Sequence, residues 1–175
     1  MSHVNHLNLE LQAGKDASGN SVTTVRQSPL ALMRQGFNLS LEVATATAFV
    51  QKQPDPLPLK TITLVGHFDT GASQTSIDYK VAQHLNLIPT GQITIRTAGG
   101  AKGVDTFVID VAFVNTGLRS VRNLRISSCD LGFSFERYAQ DPNIATNFGI
   151  LIGRDIMSLW NVTWHGPTST VFISD

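Results

Sequence analysis

The sequence of 175 residues has little cysteine and no long apolar stretch. Its single cysteine, Cys129, can form no internal disulfide, so we expect a reducing, cytoplasmic location. Nothing near Cys129 in the sequence would activate a thiol, which favours a small buried apolar side chain over a nucleophile. The chain starts with polar residues, and no apolar run approaches the roughly 20 residues that span a bilayer. These features predict neither a signal peptide nor a membrane partner.

The sequence also lacks an excess of charge of either sign. Thirteen Lys and Arg residues balance thirteen Asp and Glu residues, and no basic run stands out. The positive patch expected of a nucleic-acid binder is therefore missing, and we expect no nucleic-acid partner. His3 and His6 have no Cys or carboxylate nearby, so solvated side chains are favoured over a metal site. We expect no metal and no organic cofactor.

One segment does call for a chemical explanation, and it spans residues 67–73, His-Phe-Asp-Thr-Gly-Ala-Ser. Leu64, Val65 and Phe68 provide an apolar lead-in that is typical of a strand. Gly71 has no Cβ, so the backbone can turn sharply just after Asp69. The pattern predicts a carboxylate at the end of a strand, on a rigid base.

Residues 69–73, Asp-Thr-Gly-Ala-Ser, resemble the active-site signature of the aspartic proteases. Residues 150–155, Ile-Leu-Ile-Gly-Arg-Asp, resemble the apolar-apolar-Gly-Arg-Asp/Asn segment near the C-terminus of the retroviral-type, or retropepsin-like, branch. A lone Asp-Thr-Gly would be weak evidence, because such residues are common in turns. The two segments in this order make the resemblance specific, and they point to the bacterial and cellular relatives of the retroviral enzymes.

The resemblance implies an aspartic endopeptidase. In this family two carboxylates share one proton; one activates a water as general base while the other, protonated, polarises the scissile carbonyl. The chain has a single Asp-Thr-Gly, so the resemblance implies a homodimer with one Asp69 per subunit on the two-fold axis and a peptide or protein substrate. By match of motif, the Thr70 hydroxyls would interlock across that axis, and the Gly71 peptide would hold the carboxylate.

The resemblance also assigns substrate-binding and structural residues. Alternating segments at 93–97 and 106–113 flank a glycine-rich stretch, which predicts a hairpin. This hairpin could be an ordinary surface loop. In the family, however, the hairpin at this place is a flap that closes over the substrate, and we favour that interpretation. Ala98, Gly99 and Gly100 at its tip, with Ala72 and Ser73, are predicted to bind substrate. The second motif, Gly153, Arg154 and Asp155, is predicted to be structural.

Two residues depart from the family pattern. Where retroviral enzymes have a second Asp that pairs with the Arg of the Gly-Arg segment, this sequence has Ser73, so Arg154 must find another partner. His67 stands where the family usually has an aliphatic residue. Side chains two apart on a strand point the same way, so we predict that His67 shares a face with Asp69 and binds substrate. The alternative is that a bulge at Gly66 turns the imidazole outward.

The predicted fold is all-β, an acid-protease barrel with one or two short helices and one lobe per chain over residues 36–175. Alternating apolar residues from Phe37 to Val43 predict a half-buried strand. Ser76 is the predicted N-cap of a short helix whose apolar face carries Ile77, Val81 and Leu85. Residues 1–35 are predicted to be an N-terminal arm or a hairpin with a flexible tip.

Two other functions remain open at the level of sequence. Fold does not fix function, so the chain could be a catalytically silent peptide-binding or dimerisation module with the same fold. A weaker alternative takes His67 and Asp69 as ligands of a metal hydrolase, but it lacks a third and fourth ligand at any recognisable spacing.

Overall fold

The computed structural model describes residues 3–7, 9–15, 17–19, 21–27, 36–46, 60–97, 99–143, 145–168 and 170–174. In those ranges the chain forms twelve strands, three short α-helices and one 3₁₀ turn at Gly166–Thr168. The helices are α1 (Tyr79–His84), α2 (Phe135–Gln140) and α3 (Arg154–Met157). The strands are β1 (His3–Leu7), β2 (Leu9–Lys15), β3 (Ser21–Gln27), β4 (Asn38–Thr45), β5 (Thr61–Phe68), β6 (Ser76–Asp78), β7 (Gly91–Thr97), β8 (Gly100–Phe113), β9 (Val121–Cys129), β10 (Ile150–Ile152), β11 (Asn161–His165) and β12 (Thr170–Ser174).

Six of these strands close into a barrel. The main sheet has the order β4-β5-β10-β6-β9-β8-β7, and β4 also pairs with β8, so the sheet joins on itself and β7 extends outward from β8. The prediction of an all-β acid-protease barrel with one lobe is confirmed. Three short helices occur in the described ranges, where one or two were predicted.

The barrel encloses one apolar core. On β4 the buried residues alternate with more exposed ones, as the sequence pattern predicted. Phe37, Leu41 and Val43 are fully buried, and they pack with apolar side chains from the other barrel strands and from α1. The continuous apolar run Ile150–Ile152 is central, because β10 lies between β5 and β6.

Gly66 does not form the predicted bulge. The pairing of β5 with β4 and with β10 runs through Gly66 without a shift of register. The glycine is needed for space instead: a Cβ at this position would overlap Leu41 Cδ1 and would lie 2.9 Å from Ile152 Cδ1. The prediction of a bulge was wrong because close packing inside the barrel also requires a residue without a side chain.

Ser76 is not the predicted N-cap. It lies in β6, which pairs with β10 on one side and with β9 on the other, and α1 begins three residues later at Tyr79. Asp78 caps the helix, its Oδ1 accepting from Lys80 N–H at 2.9 Å. The sheet pairing therefore overrides the local capping tendency of the serine.

A second, three-stranded sheet joins the two ends of the chain, in the order β1-β12-β11. Strands β2 and β3 form an antiparallel hairpin. One strand of the predicted arm is thus hydrogen-bonded to the C-terminal strand, and the division of the chain at residue 35 stays a prediction. None of the helices in the described ranges is long and apolar enough to cross a bilayer.

Candidate active site

Asp69 directly follows β5, as predicted, and its backbone is tied to two neighbours. Its N–H donates to Ile152 O of β10 at 3.0 Å, and its carbonyl accepts from Ala72 N–H at 3.2 Å. Its carboxylate Oδ1 accepts from Gly71 N–H at 2.7 Å, which closes a tight turn over the carboxyl group. The side chain is half-buried, so one face of a fixed carboxylate remains open to a ligand.

Arg154 supports this turn from the second motif. Its Nη1 donates to Thr70 O at 2.7 Å and to Gly71 O at 3.3 Å, and its backbone N–H donates to Ala72 O at 3.0 Å. The sequence did not show what replaces the missing Asp as the partner of Arg154. In the structure its side chain bonds to backbone carbonyls. One terminal nitrogen can serve both carbonyls because Nη1 carries two N–H groups.

Asp155 fastens the next part of the loop. Its Oδ2 accepts from Thr75 N–H at 2.9 Å and its Oδ1 from Thr75 Oγ1 at 2.7 Å. Thr75 is fully buried, and its Oγ1 also accepts from Gly153 N–H at 3.1 Å. Neighbouring residues of the second motif thus hold both ends of the segment from Thr70 to Thr75.

Gly153 permits this close approach. A Cβ there would lie 2.5 Å from the carbonyl carbon of Gln74 and 2.8 Å from Thr75 N. Contacts this short are with backbone, so a neighbouring side chain cannot relieve them by rotating. The glycine is required by the packing of α3 against the Asp69 loop.

The loop forms one side of a cleft of about 590 Å³. This volume is in the range of small-molecule and peptide sites. Four of the predicted site residues line the cleft, namely Asp69, Gly71, Ala72 and Ser73, whereas Thr70 is exposed beside it. Sequence reasoning missed the rest of the wall, which comprises Gln74, Ser76, Ile93, Thr94, Ile95, Arg96, Ser127, Cys129, Asp130, Leu131 and Leu151.

Comparison with known families decides the identity of this arrangement. The family model described as aspartyl protease matches residues 60–156, which run from β5 through the Asp-Thr-Gly turn to the second motif. The chain belongs to the aspartyl protease family. The described residues form one barrel and the sequence carries one Asp-Thr-Gly, which is the retropepsin-like arrangement, and the family prediction is confirmed.

Solved structures also resemble this aspartyl protease family member. One of the 16 chains with a significant match is a retropepsin-like aspartic protease from Rickettsia conorii, which aligns with 97% of this chain and 93% of its own length. The identity is 12% and the TM-score is 0.42. No curated protein matches the sequence significantly.

The hairpin of this aspartyl protease lies across the cleft from the Asp69 loop. Strand β7 contributes residues 93–96 to the cleft wall and pairs with β8 as far as Thr97 opposite Gly100. Gly100 has a φ of 108°, a value that favours glycine, and both Gly99 and Gly100 are exposed. Ala98 lies outside the described residues. The assignment of these three residues to substrate binding stays a prediction.

His67 is held at a fixed place two residues before Asp69. Its Nδ1 lies 2.9 Å from Asn38 Oδ1, and its ring stacks on Phe148 with centroids 4.7 Å apart. It pairs in register with Leu151, which lines the cleft, although His67 itself is not one of the lining residues. Burial lowers its pKa below 6.5, and the nearby Asp69 carboxylate opposes that shift. Its predicted role in substrate binding stays a prediction.

Cys129 lies in the cleft wall and not in the core. It is half-buried, and desolvation raises the pKa of its thiol to about 11, so the thiol stays protonated at neutral pH. This environment does not produce a nucleophilic thiolate. Among the described residues, no group of three or more His, Cys, Asp or Glu side chains is placed to hold a metal ion.

Proposed function

We propose that this member of the aspartyl protease family is an endopeptidase whose catalytic dyad is formed by Asp69 from each of two subunits. The observation that carries the proposal is the Asp69 carboxylate itself. One of its oxygens is fixed by Gly71 N–H at 2.7 Å, and the half-buried group opens into a cleft with room for a peptide. A fixed but accessible carboxylate is what a general base requires.

A second subunit supplies what one chain lacks. Two carboxylates close to each other cannot both ionise, so a pair shares a proton and offers one base and one acid. Each chain contributes one Asp-Thr-Gly turn, and a two-fold axis beside Asp69 brings the turns together. Thr70 is exposed next to Asp69, where its hydroxyl can meet the partner copy.

The reaction follows from this pair of protonation states. The ionised carboxylate takes a proton from a bound water, and the water oxygen attacks the scissile carbonyl carbon while the protonated carboxyl gives its proton to the carbonyl oxygen. When the tetrahedral intermediate collapses, the carboxylate that gave its proton takes one back from a hydroxyl of the intermediate, the carbonyl re-forms and the C–N bond breaks. The departing nitrogen takes the proton that came from water. Atoms and charges balance without a metal.

Other residues serve this reaction by position. Arg154 and Asp155 hold the loop that carries Asp69, while Ala72 and Ser73 offer backbone and side-chain contacts to an extended peptide from within the cleft. The hairpin tip at Ala98, Gly99 and Gly100 closes over the substrate as a flap. His67 extends the substrate site beyond Leu151, its partner in the sheet register.

The test is an assay of the purified protein on an unfolded protein substrate at several pH values, with and without a statine-type inhibitor. We expect cleavage on the acid side of neutrality that the inhibitor abolishes, since statines mimic the tetrahedral intermediate. Folded, dimeric protein that cleaves nothing at any pH would favour the silent peptide-binding module instead.

A further inference from the structure

A polar row crosses the wall of the cleft next to the Asp69 loop. In the sheet register, Leu151 of β10 lies opposite Ser76 of β6, and Ser76 lies opposite Ser127 of β9. Paired residues on neighbouring strands present their side chains to the same face of a sheet. All three line the cleft, so the two serines lie side by side in its wall where three strands meet, with Ser76 the more accessible of the two.

The two serines form one hydrogen-bonded unit. Their Oγ atoms are 2.7 Å apart; Ser127 is 1% exposed, whereas Ser76 is half-buried. Ser76 also contacts the thiol of Cys129. When Ser127 donates the shared bond, the Ser76 proton is directed at the Cys129 thiol or at a ligand, and one lone pair of Ser76 Oγ stays open. A thiol sulfur is a weak hydrogen-bonding partner, so a ligand oxygen competes with it successfully.

Apolar side chains share the cleft with this row. Ile93 and Ile95 of β7 line the same cleft and are half-buried, as is Leu151. The site therefore offers hydrogen-bonding atoms and apolar surface side by side. A side chain such as Thr, which carries a hydroxyl and a methyl group on one carbon, satisfies both. Val has the same shape, but it would bury the serine hydroxyls without forming a hydrogen bond to them.

We propose that Ser76 and Ser127 are specificity-determining residues that select a substrate side chain with a small hydrogen-bonding group, so that Thr is preferred to Val at one position beside the scissile bond. The inference rests on the proposed endopeptidase function and names the substrate class. A site built to bond a hydroxyl rejects the analogue that lacks it, because its own polar groups are then left unpaired.

The experiment uses a positional octapeptide library in which each position carries either Thr or Val. We expect kcat/KM to favour Thr about three- to tenfold at one position, the range that a single net hydrogen bond gives. Ser76→Ala should reduce this ratio to near one while cleavage continues. Ser128→Ala is the matched control. Ser128 follows Ser127 on β9, but its hydroxyl donates to Asp105 O at 3.3 Å and it does not line the cleft. It should leave the ratio unchanged.

Binding to the Asp69→Asn protein, measured by fluorescence anisotropy with the same library, separates this inference from the proposed reaction. Tighter binding of the Thr peptide, lost in Asp69→Asn/Ser76→Ala, supports the inference even if the wild type cleaves nothing. Cleavage with equal rates for Thr and Val at every position, or a Thr preference that survives Ser76→Ala, would overturn it and leave the endopeptidase function standing. Absence of both cleavage and binding would overturn both.

Discussion

Asp155 and Thr75 are joined by two hydrogen bonds although they lie 80 residues apart in the sequence. The carboxylate accepts from both the backbone N–H and the hydroxyl of the threonine, at 2.9 and 2.7 Å. Because Thr75 ends the loop that begins at Asp69, this pair sets where the loop lies relative to α3. The second motif acts as a support for the first.

Thr75→Val should show what this support contributes. Valine has the shape of threonine, but it leaves Asp155 Oδ1 with one donor fewer and the buried Gly153 N–H without its acceptor. An unsatisfied buried polar group costs about 1–3 kcal/mol, so we expect a loss of that size in the free energy of unfolding, measured with urea. Peptidase activity should fall with it, because the Asp69 loop is less firmly held.

Ser158→Ala is the matched control for that variant. Its Oγ donates to Asp155 O at 3.1 Å from an exposed position, so the variant removes a hydroxyl bonded to the same residue without burying an unpaired group. We expect a change of less than about 0.5 kcal/mol. Equal losses in the two variants would argue against the supporting role of Thr75.

Asp69→Asn should abolish peptidase activity while the fold is kept, since the carboxamide is nearly isosteric but cannot act as a base. The chain offers a close control in Asp130, which also follows a strand, lines the same cleft and accepts from the N–H two residues on, Gly132, at 3.0 Å. Asp130→Asn should retain measurable activity. If it also abolished cleavage, Asp130 of the same chain would be needed for the reaction, which would count against a dyad made of two Asp69 side chains alone.

Mixed dimers test whether the dyad spans two subunits. When wild-type and Asp69→Asn chains are unfolded together in equal amounts and refolded, random pairing makes about one quarter of the dimers wild type on both sides. Activity per wild-type chain should therefore drop to about half of its unmixed value. A value that does not change on mixing would mean that each chain is active by itself.

His67 should make stability depend on pH. Burial lowers its pKa in the folded protein, so when pH falls through about 6.5 the unfolded chain takes up a proton that the folded chain does not. The stabilisation due to this group is present above pH 6.5 and is lost as pH falls toward the lower native pKa. Urea unfolding at pH 7.5 and pH 5 should show a larger loss for the wild type than for His67→Leu. Equal losses would contradict the lowered pKa.

The sequence predicted those features that depend on neighbours along the chain. The apolar lead-in to Asp69 and the turn at Gly71 are local, and alternation from Phe37 to Val43 follows from one face of β4 being buried. Alternation does not guarantee a buried face, because β11, Asn-Val-Thr-Trp-His, alternates in the same way although all five of its residues are exposed.

The composition of the cleft wall could not be predicted, because it depends on register between distant strands. Ser76 meets Ser127 only through the parallel pairing of β6 with β9, and no local pattern in either strand specifies that pairing. The same pairing made Ser76 a strand residue where its residue type favours a helix cap. The partners of Arg154 could not be predicted either, because they are backbone carbonyls, which every residue has and which no sequence pattern distinguishes.

The parallel pairing of β5 with β10 also determines when the Asp69 loop can be completed during folding. The N–H of Asp69 has its acceptor on Ile152, so a nascent chain that has emerged only as far as β9 carries the Asp-Thr-Gly turn without the strand beside it. Pairing between such distant segments is slow, because a long loop must close first. The Asp69 loop is therefore completed only after β10 has paired with β5, so the proposed peptidase activity would arise late in the folding of the chain.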